Sequence, residues 1–215
     1  RYTMRAVGNV SGSFEKIDEK LDHDFLPKLL DRDHMEREMF SLPARKGGLA
    51  IPNPSEIAQT EKEVSDMMTK DTVTKILDQE KSFSDDIEKI KELSTKIKRE
   101  KEEKHDEKRR RILQELNNSQ NKRQKRSFEE AGRQGSSVWL SALPKKEDNF
   151  NLNKQEFRDT LNVRYGKTHD LPDKCRACDE SFSLKHALKC QVGGFVVRRH
   201  NEVRNEFAAI CRKLN

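Results

Sequence analysis

Three cysteines and a histidine fall close together near the C-terminal end: Cys175-Arg-Ala-Cys178, then His186 after seven residues and Cys190 after three more. A tight Cys-x2-Cys turn lets two thiolates face one ion, and residues four apart, as His186 and Cys190 are, lie on the same side of a helical turn. The spacing C-x2-C-x7-H-x3-C therefore predicts a structural Zn2+ closed in by four N and S donors, with no position left for water or substrate. Phe182, Leu184, Ala187 and Leu188 are too few to fold this segment unaided, so metal binding is expected to supply its folding free energy. Cys211 and His169 fit no such geometry and are expected in a helix and on the surface, respectively. Four cysteines are too sparse for a disulfide scaffold.

The second chemistry the residues offer is attraction to phosphate. Two basic runs stand out: Lys108-Arg109-Arg110-Arg111, and Lys122, Arg123, Lys125 and Arg126 around Gln124. A third set, Lys185, Lys189, Arg198, Arg199 and His200, surrounds the predicted metal ligands, whose fixed geometry would hold these cations against RNA or DNA. Contacts of this kind release counterions and weaken with salt. A charge run is also a common solvated helix face or an import signal, so the first two runs carry less weight than the third. Gly193-Gly194 is expected to end the helix of the metal module, and Trp139, within Val-Trp-Leu, to pack in a core rather than stack on a base.

The elements that must position these groups are mostly helical. Phe14, Ile17, Leu21, Phe25 and Leu29 recur at three- and four-residue steps, on one face of a helix that Ser11 or Ser13 can cap. Asp31-Arg-Asp33 breaks the run, and Met35, Met39 and Phe40 begin a second helix that stops at Pro43. Paired glycines and three prolines make 42–54 a loop or short extended element whose backbone can be approached closely. Helical periodicity returns over 55–80 with a sparse apolar edge at Ile57, Val64, Met67, Met68, Val73, Ile76 and Leu77. Ile87, Ile90, Leu93 and Ile97 then hold a narrow stripe before Lys98 to Arg111, which contains no apolar residue and is expected to be a spacer, either a solvated helix laced by opposite charges at four-residue spacing or disordered. Val138, Trp139, Leu140, Ala142 and Leu143, followed by a helix that Asn153 caps and that carries Phe157, Leu161 and Tyr165 up to Gly166, are expected to form a small core next to the metal site.

Only 32% of the residues are hydrophobic while 38% are charged, which argues against one large core. The net charge of +6 is a small excess over two abundant signs, so charge matters where it clusters. No apolar run approaches the roughly 18 residues of a membrane span and there is no signal-peptide layout, so the chain is expected to be soluble and intracellular, in nucleus or cytoplasm. Starting at Arg1, it has the look of a piece of something longer. The expected fold is mostly α: short N-terminal helices, a long charged helical linker, and a small zinc-stapled C-terminal module with at most a minor β-hairpin.

Several strings occur in an order that resembles a known family. Leu42-Pro-Ala-Arg-Lys-Gly-Gly-Leu-Ala-Ile-Pro52, Val138-Trp-Leu-Ser-Ala-Leu-Pro144, Asn153-Lys-Gln-Glu-Phe-Arg-Asp159, Arg164-Tyr-Gly166, the Cys/His cluster and Gly193-Gly-Phe-Val-Val-Arg-Arg-His-Asn201 are similar to the region after the polymerase domain in non-LTR (LINE-type) retrotransposon reverse transcriptases that carry a restriction-like endonuclease. The resemblance is patchy over 55–130. It implies five segments: the end of a thumb-like region at 1–54, a charged linker at 55–134, a small helical subdomain at 135–170, a CCHC knuckle at 171–195 on Cys175, Cys178, His186 and Cys190, and the start of a truncated endonuclease-like domain at 196–215. The catalytic parts are not expected in this stretch. Its only Asp-Asp pair, Asp85-Asp86, follows Ser84 inside the charged spacer, and Pro172-Asp173 abuts the first cysteine with no Glu-x-Lys at a usable distance. The expected function is thus RNA or DNA binding in a retroelement polyprotein, without chemistry of its own. The rival from another class is a coiled-coil scaffold, self-associating through the charged linker, with a structural zinc site; its heptads are broken.

Overall fold

The computed structural model describes residues 2–7, 12–30, 34–79, 87–147, 151–167 and 171–214. The expected cap Ser11, the break at Asp31-Arg-Asp33, Asp85-Asp86 and His169 lie outside them, as does the side chain of Met35. The described chain is mostly helix: α1 (Tyr2–Val7), α2 (Glu15–Lys20), α3 (Leu26–Leu29), α4 (His34–Ser41), α5 (Pro54–Leu77), α6 (Ile87–Asn118), α7 (Lys122–Ala131), α8 (Lys154–Arg164), α9 (Leu184–Lys189) and α10 (Phe195–Leu214). Short 3-10 turns occupy Ala44–Lys46 and Val138–Ser141. The only β pairing among the described residues is one antiparallel bridge, Lys174 to Ser181. None of the described helices is long and apolar enough to cross a membrane. Contacts divide the chain into two compact units, Arg1–Lys167 and Thr168–Asn215.

The first unit is built on one main core. Leu26 and Leu30 follow from the first helices, Met39, Phe40 and Leu42 from α4 and its exit, Ile112 and Leu116 from α6, Phe128 from α7, and Leu161 and Tyr165 from α8 and its end. Tyr165 meets Phe40 edge-on at 5.0 Å, a geometry that places the positive ring edge on the negative face. Two expectations change here. The apolar stripe of the first helix does not continue in phase: Ile17 and Phe25 are exposed, while Leu26 and Leu30 are buried. A π-helical turn at Leu21–Phe25 joins α2 to α3, with the Leu26 N–H donating to Leu21 O. Pro27 has no N–H to donate, and the wider turn ahead of it advances the buried face by one residue. The stretch expected to be a charged helical spacer is helix as expected, but ion pairs dock it on the loop and α5. Lys98 to Arg111 lies within continuous α6, and the turns that follow insert Ile112 and Leu116 into the core.

Trp139, Leu140, Phe157, Leu161 and Tyr165, expected to form a small core of their own, are instead part of this same core. Trp139 and Leu140 pack half-buried against it, Trp139 meeting Phe157 edge-on at 6.0 Å, while Val138 and Leu143 stay exposed. Asn153 caps α8 as expected. Its Oδ1 accepts from the N–H groups of Gln155 and Glu156, and Glu156 Oε2 accepts from the Asn153 N–H in return.

The loop 42–54 is fixed by backbone proximity. A Cβ on Gly48 would sit 1.9 Å from Leu42 O, and one on Gly47, at φ 96°, would sit 2.8 Å from the Phe128 ring. Over this loop lies the buried guanidinium of Arg164. Its Nη2 donates to Ala44 O (3.1 Å), Ala131 O (3.2 Å) and Ser137 Oγ (2.9 Å), and Tyr165 Oη donates to Gly47 O (3.2 Å). One side chain thus ties the glycine loop, the end of α7 and the start of the second 3-10 turn to α8. Arg37 does similar work from α4, donating to Ile51 O and Pro52 O and pairing with Asp22 at 3.0 Å.

Ion pairs dock α6 along the loop and α5. Lys46 pairs with Glu102 (2.7 Å) and Asp106, Lys101 with Glu61 (2.7 Å), and Arg111 with Glu38. Hydrogen bonds from Lys46 hold Glu102 and Asp106 below the usual carboxylate range. Burial works against the charge of Glu61, yet bonds from Lys101 and Arg5 outweigh it and lower its pKa too. Burial also pushes His105 below the ordinary histidine value, the cations Arg45, Lys108 and Lys46 adding to the effect and Glu102 opposing it.

Two outcomes are expected. Arg164→Lys keeps the charge but loses the planar fork, and should cost about 3 kcal/mol, read as a lower urea midpoint; an unchanged midpoint would remove Arg164 from this role. A histidine with a lowered folded pKa contributes stability above about pH 6.5 and loses it as pH falls. The low carboxylates add a second loss on further acidification toward and below about pH 4. The midpoint of the first unit should therefore be flat from pH 8 to about 6.5 and decline below, and His105→Leu should abolish the first decline alone.

Candidate metal centre

The second unit opens on a short hairpin. Lys174 and Ser181 bridge, Cys175 N–H donates to Glu180 O (2.8 Å), and Phe182 N–H donates to Asp173 O (2.9 Å). Within it Cys175-Arg-Ala-Cys178 turns tightly, the Asp179 N–H closing back on Cys175 O at 2.8 Å. Asp179 sits at φ 61°, the left-handed conformation that aspartate tolerates better than most residues. Ser183 then starts α9, its Oγ accepting from the His186 N–H at 3.0 Å, and Cys190 ends that helix, its N–H donating to His186 O at 2.7 Å. Hairpin and helix together bring the four expected residues to one point.

Their donor atoms all lie within 4.8 Å of one another. Cys175 Sγ and Cys190 Sγ are 3.9 Å apart, Cys190 Sγ and Cys178 Sγ 3.8 Å, and Cys178 Sγ and His186 Nε2 3.2 Å. The three thiols are free and far too distant for disulfides. Cys175 and Cys190 are buried, Cys178 and His186 half-buried. Backbone N–H groups of Ala177 and Cys178 aim at the Cys175 sulfur and pull its pKa down to about 6. Cys178 accepts from the Glu180 N–H, which favours its thiolate, but burial and the neighbouring thiols push it up to about 11. The penalty on Cys178 is what a cation placed among the sulfurs would relieve. This arrangement can bind a metal ion.

His186 is oriented from two sides. Its Nδ1 faces Glu180 Oε2 at 3.5 Å, and its ring meets Phe182 edge-on at 6.0 Å. With Nδ1 turned to a carboxylate, Nε2 is left to face the sulfurs, the relation by which a neighbouring acid fixes a ligating imidazole. Sequence reasoning missed Glu180 because its position opposite His186 depends on the turn at Asp179. Ser183 carried a legible signal, a serine three residues before His186 at a helix start.

The expected cations are dispersed. On the metal unit, Lys185 and Lys189 are exposed on α9 and His200 on α10, Arg198 pairs with Glu202 at 2.9 Å, and Arg199 donates to Leu188 O. Gly193 and Gly194 lie in the turn between α9 and α10, past Cys190, and do not end α9. Cys211 is exposed on α10. In the first unit, Lys108 pairs with Glu56 (3.3 Å), Arg109 stacks over Phe128 at 5.5 Å, Arg111 pairs with Glu38, and Arg110 is exposed. Arg123 donates to Lys167 O and Lys125 to Asn117 Oδ1, while Lys122 and Arg126 are exposed. The run 108–111 thus spends most of its cations on holding α6 in place.

No family model, curated protein or solved structure matches the chain.

Removing the carboxylate opposite His186 should weaken metal binding without preventing it. Glu180→Ala is expected to lower affinity about tenfold in a competitive chelator titration; equal affinities would show that the imidazole needs no such partner.

Proposed function

We propose that this chain is a nucleic-acid-binding region stapled by one structural zinc ion, of the kind that follows the polymerase domain in non-LTR retrotransposon reverse transcriptases with a restriction-like endonuclease. The observation that carries the reading is the meeting of three sulfurs and one imidazole nitrogen with exposed Lys185 and Lys189 on the same short helix as His186. Zinc fits the donor set. Zinc–sulfur bonds of about 2.3 Å in a tetrahedron put neighbouring sulfurs about 3.8 Å apart, and two of the sulfur pairs lie at 3.8 and 3.9 Å. Thiolates with imidazole are the ligands this ion takes in closed structural sites, where its role is to fold the polypeptide around it.

The zinc would fix hairpin and helix, and the helix would present its lysines to phosphates. Phosphate contact is sequence-independent, so the module would orient a strand while the reactions occur on other domains. The resemblance in Arg164-Tyr-Gly166 and the 42–52 string supports the family reading, and those strings meet in one clamp in the first unit.

The purified chain should retain one equivalent of zinc. Exhaustive chelation should melt the 168–215 segment and expose three thiols to a disulfide reagent beyond the exposed Cys211. Oligonucleotide binding should fall steeply with salt, and Lys185→Glu with Lys189→Glu should flatten that dependence by about 1 to 2 units of log–log slope. A folded, zinc-loaded chain that holds neither RNA nor DNA at low salt would overturn the proposal.

A further inference from the structure

A second feature, within the first unit, has the charge and shape to take a polynucleotide. A cleft of about 1250 Å³ runs between α6 and the wall made by the 41–53 loop and α5. Eight Lys and Arg and four Glu line it, so a positive field remains after the ion pairs are formed. Lys98, Lys101, Lys104, Lys108 and Arg111 recur at three- or four-residue steps and share one side of α6 over about 20 Å of helix. Successive cations stand about 5 Å apart along the axis.

These cations divide into two groups. Lys101, Lys108 and Arg111 are paired with Glu61, Glu56 and Glu38 and form the seam that docks α6. Lys98 and Lys104 are exposed, line the cleft with Arg110, and have no carboxylate within ion-pairing distance among the described residues. A seam used only for docking would be charge-balanced. Here a row of unmatched cations follows the docked pairs along the same groove.

Resting on the reading that the chain binds nucleic acid, we propose that this cleft holds a single polynucleotide strand by its phosphates. A concave channel suits a flexible strand that bends to follow its wall, whereas a duplex, stiff over about 50 nm, presents a convex cylinder. Among the described residues no Phe, Tyr or Trp lines the channel, so recognition rests on phosphates and is independent of sequence. The cleft belongs to the first unit and the lysines of α9 to the second.

The test compares the full zinc-loaded chain with Lys98→Gln/Lys104→Gln/Arg110→Gln, a variant that orphans no buried carboxylate. Fluorescent single-stranded 12-mers of RNA and DNA are titrated across a salt series. Affinity at low salt should drop at least tenfold and the log–log salt slope by about 2, the share of three phosphate contacts on a single strand, with zinc content and urea midpoint unchanged. If this variant keeps wild-type affinity and slope while Lys185→Glu with Lys189→Glu loses them, the cleft assignment is overturned and the proposed function stands. If the wild-type chain binds neither oligonucleotide, both fall. Tighter binding of a duplex of the same length, or cleft-dependent binding of poly-glutamate in place of either strand, would also overturn it.

Discussion

A chain with more charged than hydrophobic residues has to satisfy its interior with polar devices, and the buried guanidinium of Arg164 is the one on which the first unit turns. A buried cation is costly unless its donors are met. Here Nη2 is met by main-chain carbonyls and one hydroxyl instead of a carboxylate, while Nε stays buried without a hydrogen-bond partner among the described residues. Ala131 lies at the C-terminal end of α7, where the helix dipole is negative and carbonyls are free. Satisfying Arg164 therefore requires the glycine loop, α7 and the second 3-10 turn to be in place together. That requirement couples elements more than a hundred residues apart without a large apolar surface.

The second unit solves the same shortage by a different route. Its hairpin and short helix bury little besides two sulfurs, Cys175 and Cys190, so what organises them is the convergence of ligands. Burial and the neighbouring sulfurs raise the cost of ionising Cys178, and this cost is what a bound cation would convert into folding free energy. The carboxylate of Glu180 and the ring of Phe182 set the imidazole from outside the cluster.

The long helix α6 serves as both structure and surface. Its last turns are core, through Ile112 and Leu116, and its middle is a ladder of cations. Pairing with Glu61, Glu56 and Glu38 holds the ladder in place, and the unmatched Lys98 and Lys104 beside those pairs are what lend the groove its field. A helix that looks like a solvated spacer in composition is in this fold the wall of a cleft.

The sequence by itself determined the Cys/His cluster, the capping box at Asn153 and the mostly helical class, because each depends on residues close together in the chain. Ligand spacing, cap chemistry and helical period are local geometry, and local geometry survives into the fold. Tertiary structure decided what the sequence could not: that a π turn ahead of Pro27 shifts the buried face, that Trp139, Phe157 and Tyr165 join the main helical core and not one of their own, and that Arg109 stacks on Phe128 while Lys98 and Lys104 are left unpaired. Whether a cation is neutralised depends on which carboxylate lies across from it, often forty or more residues away, and no periodicity within a helix encodes its partner.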